Sequence, residues 1–521
     1  MNRILPIGLF AAGLCTHAAM AQDRPNIILF LVDDMGWQET SVPFHESMTD
    51  LNRRYRTPNM ERMAEMGVKF TQAYACAISS PSRASLMTGM NAARHGVTNW
   101  TLEYNTKTDA ESPDITLPEW KYNGIQPEDE TDIPHSTPVT PLPQILHDNG
   151  YFTIHCGKAH FGSLDTPGAD PCNLGFDKNI AGGANGGPGS YLATNEFGSG
   201  NFHVSGLEKY YGTDTFLTEA LTLEALATLD SLRTASPDRP FYLYMSHYAI
   251  HAPYDADKRF TGNYTGIDPQ LGAALNTAEV NHAALVEGMD KSLGDILDYL
   301  SEEGNEDLAA NTILIFMSDN GGQGIGRQGN GNRDTNAPHR AGKGSAYLGG
   351  VHEPMMVVWP GVTDGQGGGT IDSRVMIEDF FPTILEMAGI TGYATRQHVD
   401  GRSFAGIIRQ PDARHDDRHP LVWHFPNLWG ESQDRSEGYG AYSAMLKGDY
   451  HIIYFWESQE LRLYDITDDV GEQNDLAPDN KHLVRELAGE LTDSLKACGA
   501  QRPAYKSTGQ LIPWPDEACA M

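Results

Sequence analysis

Five short apolar runs, each of a length that suits a β-strand, constrain the fold of this 521-residue chain more than any other feature. Apolar and polar residues do not alternate within the runs, and continuous apolar runs are typical of parallel strands that are buried on both faces. Helical patterns separate the runs, so we expect an α/β fold: a central, mostly parallel sheet flanked by helices. The runs occupy residues 27–32, 152–155, 241–245, 312–317 and 355–359.

Four segments between and after these runs carry helix signals. Thr57 and Pro58 begin the first segment and Gly67 ends it, because Thr is a favoured N-cap and Pro a favoured first helical residue. Two irregular segments, 104–140 and 162–206, are rich in turn residues, and long segments of this kind are usually functional loops or disordered. The other predicted helices span residues 214–233, 277–303 and 374–389.

The sequence pattern changes after residue 400. Short β-like runs at 421–425, 451–455 and 461–463 precede a final helical segment at 481–497. We therefore expect a large N-terminal domain over residues 22–400. A smaller C-terminal α+β domain with a short antiparallel sheet is expected over residues 401–521.

The first 21 residues have the pattern of a secretory signal peptide. Arg3 supplies the positive region, residues 4–14 form the apolar stretch, and Ala19 and Ala21 form the small-residue cleavage pattern. We expect cleavage after Ala21 and export to the periplasm or the medium. No later segment reaches about 18 consecutive apolar residues, so we expect no stable membrane insertion.

The formal net charge of −32 makes nucleic acid an unsuitable partner, because binding to phosphates depends on clustered Lys and Arg. Five cysteines remain after residue 21, and export permits disulfides. Cys498 and Cys519 could form one, but unpaired thiols fit the sequence equally well.

Acidic and amide side chains follow two of the apolar runs. Asp33 and Asp34 come directly after the first run, and Asp319 and Asn320 follow the run at 312–317. Because sites in open α/β sheets lie beyond the carboxyl ends of the strands, we expect these four side chains to meet. Their oxygen atoms suit Ca²⁺ or Mg²⁺. A single acidic pair would more simply be a solvated turn, so the prediction depends on both groups.

Basic side chains lie near the ends of the other runs and within a short serine-rich segment. Each alone is typical of a protein surface, but together, beside a metal, they suit a tetrahedral anion such as phosphate or sulfate. These candidates are Arg83, Lys158, His160, His251 and Lys343.

The serine-rich segment, Ser-Ser-Pro-Ser-Arg at 79–83, precedes a helical pattern. We expect Ser80 to be the N-cap and Pro81 to lie in the first turn. Ser79 would then present its side chain at a helix N-terminus, a favourable place for an oxyanion.

With these residues in place, the chain resembles a type I sulfatase of the alkaline phosphatase superfamily. The most specific element is SSPSRASLMTG at 79–89, which is similar to the family signature of Cys or Ser, any residue, Pro, any residue and Arg. The resemblance covers nearly all of the chain after residue 21 and implies an alkaline phosphatase-like fold. Segments 25–37, 150–162, 318–322, 342–361 and 461–477 are also similar to family motifs.

The resemblance implies a modified residue and one metal ion. Ser79 would be oxidised to formylglycine, whose hydrated aldehyde is the nucleophile. One Ca²⁺ would be held by this residue together with Asp33, Asp34, Asp319 and Asn320.

The resemblance also implies roles for the basic residues. Arg83 and Lys158 would steady the hydrated aldehyde and the sulfate, with Asp319 as the base for attack. His251 and Lys343 would assist the departing alcohol, and His160 would remove a proton so that sulfate is expelled and the aldehyde returns.

The expected substrate is a sulfated glycan, and we favour galactose or N-acetylgalactosamine sulfate. The tract WHFPNLWG at 423–430 resembles one that some glycan sulfatases place over the active site. It offers His424, Asn427 and Trp429 as sugar contacts, although it could equally form the core of the C-terminal domain. His352 is a further candidate contact because it stands where the family commonly has Arg.

A Ser at position 79 implies a bacterial, anaerobic sulfatase-maturating enzyme as a partner. Two alternatives stay open. A phosphatase, phosphodiesterase or phosphonate hydrolase of the same superfamily would use Ser79 directly, and a non-catalytic glycan-binding homologue would leave Ser79 unconverted.

Overall fold

The computed structural model describes residues 24–325, 334–411, 419–430 and 434–519. The candidate signal peptide lies outside these ranges and stays a prediction. No helix within them combines the length and the apolar character that are needed to cross a bilayer.

Strands and helices alternate along most of the chain. The strands are β1 (Asn26–Val32), β2 (Val68–Tyr74), β3 (Ile115–Thr116), β4 (Ile125–Pro127), β5 (Thr137–Val139), β6 (Phe152–Gly157), β7 (Lys178–Ile180), β8 (Phe241–Ser246), β9 (Thr312–Ser318), β10 (His352–Val358), β11 (Gly369–Ile371), β12 (Val375–Met376), β13 (Leu421–Phe425), β14 (Tyr442–Lys447), β15 (Tyr450–Phe455), β16 (Glu460–Asp465) and β17 (Ala504–Tyr505). The α-helices are α1 (Asp50–Arg54), α2 (Pro58–Met66), α3 (Ser79–Thr88), α4 (Ala92–His95), α5 (Leu142–Asp148), α6 (Leu217–Ala235), α7 (Thr277–Ser301), α8 (Glu306–Ala310), α9 (Phe380–Met387), α10 (Ala405–Arg409), α11 (Lys481–Cys498) and α12 (Pro515–Ala518).

A nine-stranded sheet forms the centre of the molecule. Its strand order is β11-β2-β10-β9-β1-β8-β6-β7, and β12 also pairs with β2. The central strand β1 is parallel to both of its neighbours, β8 and β9, while β10 runs antiparallel to β2 and β9. The expected α/β fold with a mostly parallel sheet is confirmed.

Burial on both faces explains the continuous apolar runs. Alternate residues of β1 enter two different cores: Leu29 lies in one and Phe30 in the other, and both are fully buried. Helices α2, α6 and α7 contribute side chains to the core that contains Phe30, and α3, α5 and α9 contribute to the opposite core. The six positions 27–32 of β1 are therefore all apolar, because neither face meets water.

Two sequence expectations need correction. The run at 355–359 belongs to β10, which is antiparallel, because an apolar pattern reports burial and not strand direction. The segment 374–389 does not form one helix: Val375 and Met376 pair with β2 as β12, and α9 begins only at Phe380. Strand β2 itself was not predicted, since polar and apolar residues are mixed along it.

The C-terminal part has the expected short antiparallel sheet, of order β13-β14-β15-β16. One face packs against α11. The other face shares a core with the central sheet, where Trp423 and Phe425 join the same cluster as Phe70 and Tyr74. The domain boundary near residue 400 stays a prediction. Among the described cysteines Cys498 and Cys519 are unpaired thiols.

Replacing Phe30 by Ala should lower the free energy of unfolding by about 3–5 kcal/mol, because the change leaves a cavity in a fully buried position. The Phe30 ring lies 5.7 Å from the Phe316 ring, centroid to centroid. Chemical denaturation measures the loss. Leu223→Ala, at a residue that is 46% exposed on α6, is the matched control and should change stability by less than about 0.5 kcal/mol. Equal effects of the two substitutions would contradict the buried central position of β1.

Candidate active site

The carboxyl ends of β1 and β9 bring the four candidate ligands together. The two strands are parallel neighbours in register, with Val32 opposite Ser318. The residues that follow, Asp33 and Asp34 on one strand and Asp319 on the other, therefore meet at one edge of the sheet. Carboxylate oxygens of these three residues lie within 4.8 Å of one another, and all three side chains are buried.

Helix α3 brings Ser79 into the same place. The helix begins at Ser79 with Ile78 at the N-cap position, so the predicted N-cap Ser80 is wrong; the Ser80 hydroxyl accepts a hydrogen bond from the Thr101 amide instead. The Ser79 hydroxyl lies 3.1 Å from Asp33 Oδ1 and 3.1 Å from Asn320 Oδ1. All the candidate ligand atoms are oxygens.

An oxygen-only set of this kind fits Ca²⁺ or Mg²⁺ better than a softer metal. Within the described ranges this is the sole group of three or more His, Cys, Asp or Glu side chains that is close enough to hold an ion. The residues present therefore fit the metal that the sequence predicts.

Each of the three carboxylates contacts a buried cation that comes from a distant part of the chain. Lys158 Nζ lies 2.7 Å from Asp33 Oδ2 and 2.8 Å from the Ser79 hydroxyl. Lys343 Nζ lies 2.6 Å from Asp34 Oδ1. The other pair joins Arg83 Nε to Asp319 Oδ2 at 2.8 Å.

Burial and the neighbouring charges shift the pKa values of these groups. Burial raises the pKa of the Asp33 carboxyl and lowers the pKa of the Lys158 ammonium. In each group the charge of the other opposes this shift. Burial alone would raise the pKa of Asp34, but the Lys343 ammonium holds it well below its usual range.

His160 has one ring nitrogen free to accept a proton. Its Nε2 lies 2.8 Å from the Thr101 carbonyl oxygen and donates to it, while the buried Nδ1 has no hydrogen-bond partner among the described residues. Burial, followed by the nearby Lys158 charge, holds the pKa of His160 well below its ordinary value. The ring is therefore neutral, with the lone pair on Nδ1.

His251 has the opposite tautomer. Its Nδ1 lies 2.6 Å from the Ala252 carbonyl oxygen and donates to it, so the Nε2 lone pair faces Asp34 Oδ2 at 3.8 Å. Burial, assisted by Lys343, lowers the pKa of His251 to about 3. In this state Nε2 of neutral His251 carries no proton.

The glycine-rich part of the segment 162–206 packs directly on these two histidines. A Cβ atom added at Gly186 would lie 2.4 Å from His160 Cε1, and one at Gly187 would lie 2.8 Å from His251 Nδ1. Both contacts are shorter than real Cβ contacts. Glycine is therefore required where the loop covers the rings, and the irregular composition of this segment has a structural cause.

A cavity of about 210 Å³ opens over Ser79. His160, His251 and Lys343 line it, as does Trp429, whose ring centroid lies 5.8 Å from Lys343 Nζ. Trp429 is the one predicted sugar contact that reaches this cavity.

The other three predicted sugar contacts lie elsewhere. His352 lines a separate cavity of about 550 Å³ and bonds to His339 and to the Thr71 carbonyl. His424 is buried, with Nδ1 2.8 Å from the Ser443 hydroxyl. The Asn427 amide donates to Asp109 Oδ1 at 2.8 Å and is fully buried. The described cavity over Ser79 therefore does not bring these three side chains to a substrate, and their roles stay predictions.

Sequence reasoning missed several residues at the site. Trp100 and Phe202 line the cavity over Ser79, and Gln323 Nε2 donates to Asp34 Oδ2 at 2.8 Å. Phe202 lies in the segment 162–206 together with Phe176, Tyr191 and Phe197, so its residue type did not single it out. Gln323 follows Asp319 and Asn320 directly after β9, a signal that could have drawn attention to it. Trp100 has no comparable signal, because only the folding of distant segments brings it to the cavity.

Comparison with known proteins agrees with this geometry. The family model described as "Sulfatase" matches residues 25–390, and one described as "N-sulphoglucosamine sulphohydrolase, C-terminal" matches residues 343–501. A sulfatase from Formosa agariphila is 28% identical, over 95% of this chain and 93% of its own. The N-acetylgalactosamine-6-sulfatase of Homo sapiens is 32% identical, over 75% of this chain and 67% of its own.

A solved structure has the same architecture. The crystal structure of Ps i-CgsB in complex with k-i-k-neocarrahexaose has a TM-score of 0.67 and 25% sequence identity, and the likeness covers 91% of this chain and 93% of that one. The chain therefore belongs to the sulfatase family: it is a type I sulfatase of the alkaline phosphatase superfamily, and its activity is that of a sulfuric ester hydrolase.

Proposed function

We propose that this protein is an exported bacterial sulfatase that hydrolyses sulfate esters of a glycan, through a formylglycine made from Ser79 and one Ca²⁺. The observation that carries the proposal is the position of the Ser79 hydroxyl. It lies at the N-terminus of α3, against Asp33, Asn320 and the Lys158 ammonium, and at the floor of the cavity.

The metal would be held by residue 79 and the four oxygen ligands around it. The charges of the three carboxylates and of the three cations that contact them cancel. A bound Ca²⁺ would therefore give the site a net positive charge. That charge would attract a sulfate group although the whole chain carries a net charge of −32. The ligands are Asp33, Asp34, Asp319 and Asn320.

The residues of the chain divide the remaining work. Lys158 holds the oxygen of residue 79, and Arg83 fixes Asp319 as the base for attack. Lys343 donates a proton to the departing alcohol, in keeping with the tautomer of His251. The free Nδ1 of His160 accepts the proton whose removal returns residue 79 to the aldehyde.

Maturation and export complete the proposal. The Ser-x-Pro-x-Arg segment at 79–83 would be recognised by an anaerobic sulfatase-maturating enzyme. Residues 1–21 would direct the chain to the periplasm or the medium, and the mature chain would consist of a catalytic domain over 22–400 and a C-terminal domain over 401–521. The glycan assignment, with a preference for galactose or N-acetylgalactosamine sulfate, is supported by the name of the human relative.

The peptide that contains Ser79 should be lighter than its encoded mass by two hydrogen atoms when the protein is made in its own host. Oxidation of the serine hydroxyl to an aldehyde removes these atoms. Mass spectrometry of the proteolytic peptide measures the difference, and protein made in a host without the maturase is the control. An unmodified serine in native material would contradict the formylglycine mechanism.

Ser79→Ala should abolish hydrolysis of sulfate esters, a loss of about 10⁶-fold in kcat, because it removes the nucleophile. Paired assays with a sulfate ester and the matching phosphate ester test the reaction class at the same time. Ser231→Ala, at an exposed serine of α6, is the control and should keep full activity. Preferred turnover of the phosphate ester would favour the phosphatase alternative.

Calcium at about 100 times its Kd should stabilise the protein by about 2.7 kcal/mol relative to the chelated form. Asp319→Asn should remove most of this gain, because it removes one anionic ligand. The thermal unfolding midpoint with and without a chelator gives the measurement independently of activity. Asp298→Asn, at a side chain that is 69% exposed, should respond to calcium as the unaltered protein does. A gain that Asp319→Asn leaves intact would exclude Asp319 as a ligand.

A further inference from the structure

The walls of the cavity over Ser79 are mainly apolar. Trp100, Phe202 and Trp429, which we call the aromatic wall, line it together with Ile78. The polar side chains among its described lining residues are Ser79 and the three that already have catalytic roles. The part of a substrate that extends beyond its sulfate therefore meets mainly apolar surface.

The cavity is also small. Its volume of about 210 Å³ lies below the range of about 300–1,000 Å³ that is usual for pockets that enclose drug-sized ligands. There is room for one ring beside the sulfate but not for a chain of sugars. Phe202 is 42% exposed, so this member of the aromatic wall also faces solvent.

Two members of the aromatic wall are linked through one half-buried carboxylate, that of Asp109. Asp109 Oδ1 accepts hydrogen bonds from the side chains of Asn99 at 2.9 Å and Asn427 at 2.8 Å. Oδ1 of the Asn99 side chain in turn accepts a hydrogen bond from the Trp100 backbone N–H at 2.9 Å. On the other side, Asp109 forms an isolated backbone bridge with Trp429. Asp109 thus links the segment that carries Trp100 to the tract that carries Trp429.

Two further contacts make this link rigid. The Trp120 indole N–H donates to Asp109 Oδ2 at 2.6 Å, so the described donors engage both carboxylate oxygens. Trp429 also packs on the backbone of Gly344, where an added Cβ would lie 2.4 Å from Trp429 Cε3. Trp429 is therefore held between Asp109 and the residue that follows Lys343.

We propose that a single pyranose ring of the substrate, the one that bears the sulfate, packs its apolar face against the aromatic wall, and that Asp109 is the positioning residue that holds Trp100 and Trp429 in place. The inference rests on the proposed function and specifies its substrate: one sugar residue enters the cavity and the rest of the glycan stays outside. One face of a pyranose ring carries C–H groups, and burial of this apolar face against aromatic carbon is favourable. A cavity with apolar walls can therefore select a sugar.

The test measures binding in the Ser79→Ala form with Ca²⁺ present, so that turnover does not interfere. Calorimetric titration compares the 6-sulfates of N-acetylgalactosamine, galactose and glucose with inorganic sulfate, which has no ring, and with 4-nitrophenyl sulfate, which has an aryl ring. Trp100→Ala, Trp429→Ala and Asp109→Asn should each weaken binding of the preferred sugar sulfate about tenfold and leave binding of inorganic sulfate unchanged. In Asp109→Asn an amide N–H₂ group replaces one of the two oxygens that accept hydrogen bonds, so it faces an N–H donor and the bond is lost. Both tryptophans are still present in this variant, so it tests their positioning alone.

Matched controls come from the same part of the chain. Tyr104→Ala removes an aromatic residue that is 44% exposed and does not line the cavity, and Asp114→Asn changes an exposed carboxylate. Neither should alter binding of any probe.

In the matured enzyme, Asp109→Asn should raise KM for the sugar sulfate about tenfold and keep kcat within about twofold. General destabilisation of the protein would not change KM and kcat so differently.

Three results would overturn the inference. The first is that the three variants bind the preferred sugar sulfate as tightly as the unaltered cavity does. The second is that these variants lose affinity for inorganic sulfate as much as for the sugar sulfate. The third is that no sugar sulfate binds more tightly than inorganic sulfate or 4-nitrophenyl sulfate. Hydrolysis of sulfate esters by the matured enzyme is measured separately. If the matured enzyme hydrolyses a sulfate ester but one of these three binding results is found, the pyranose site is rejected and the sulfatase proposal stands. If the matured enzyme hydrolyses no sulfate ester, both proposals are rejected.

Discussion

The balance of three buried carboxylates by three buried cations is the interaction on which the rest of the site depends. An unpaired charge in the interior is costly, so each carboxylate that the sheet brings to this edge needs a partner. The partners come from a helix and two loops that are far apart in sequence, and the ion pairs fix all three against the sheet. The pairs are Asp33 with Lys158, Asp34 with Lys343 and Asp319 with Arg83.

Once these segments are fixed, the smaller features of the site follow from close packing. Glycines at 186 and 187 let a loop lie directly on the rings of His160 and His251, which sets the orientation of both. Hydrogen bonds to two backbone carbonyl oxygens then select opposite tautomers for the two histidines. The position of the proton on each ring therefore arises from local geometry and not from residue type.

The same packing separates the chemistry from the recognition of the substrate. Charged groups occupy the floor of the cavity, whereas aromatic side chains form its walls. The network around Asp109 connects the walls without touching Ser79. Under the proposed function, substitutions in the walls should change which alcohol enters and leave the sulfate chemistry unchanged, a division that allows one fold to serve many substrates.

The sequence by itself determined the α/β class, most strands of the central sheet and the residues of the charged floor. It could do so because strands buried on both faces need continuous apolar runs, and because Asp33, Asp34, Asp319 and Asn320 directly follow such runs. The tertiary structure alone decided the direction of β10 and the addition of Val375 and Met376 to the sheet, since pairing between distant segments leaves no local pattern. It also decided which side chains line the cavity over Ser79: Trp100 and Phe202 do, but His352, His424 and Asn427 do not. These positions depend on how loops pack around the buried charges, and that packing is not encoded in the spacing of any single motif.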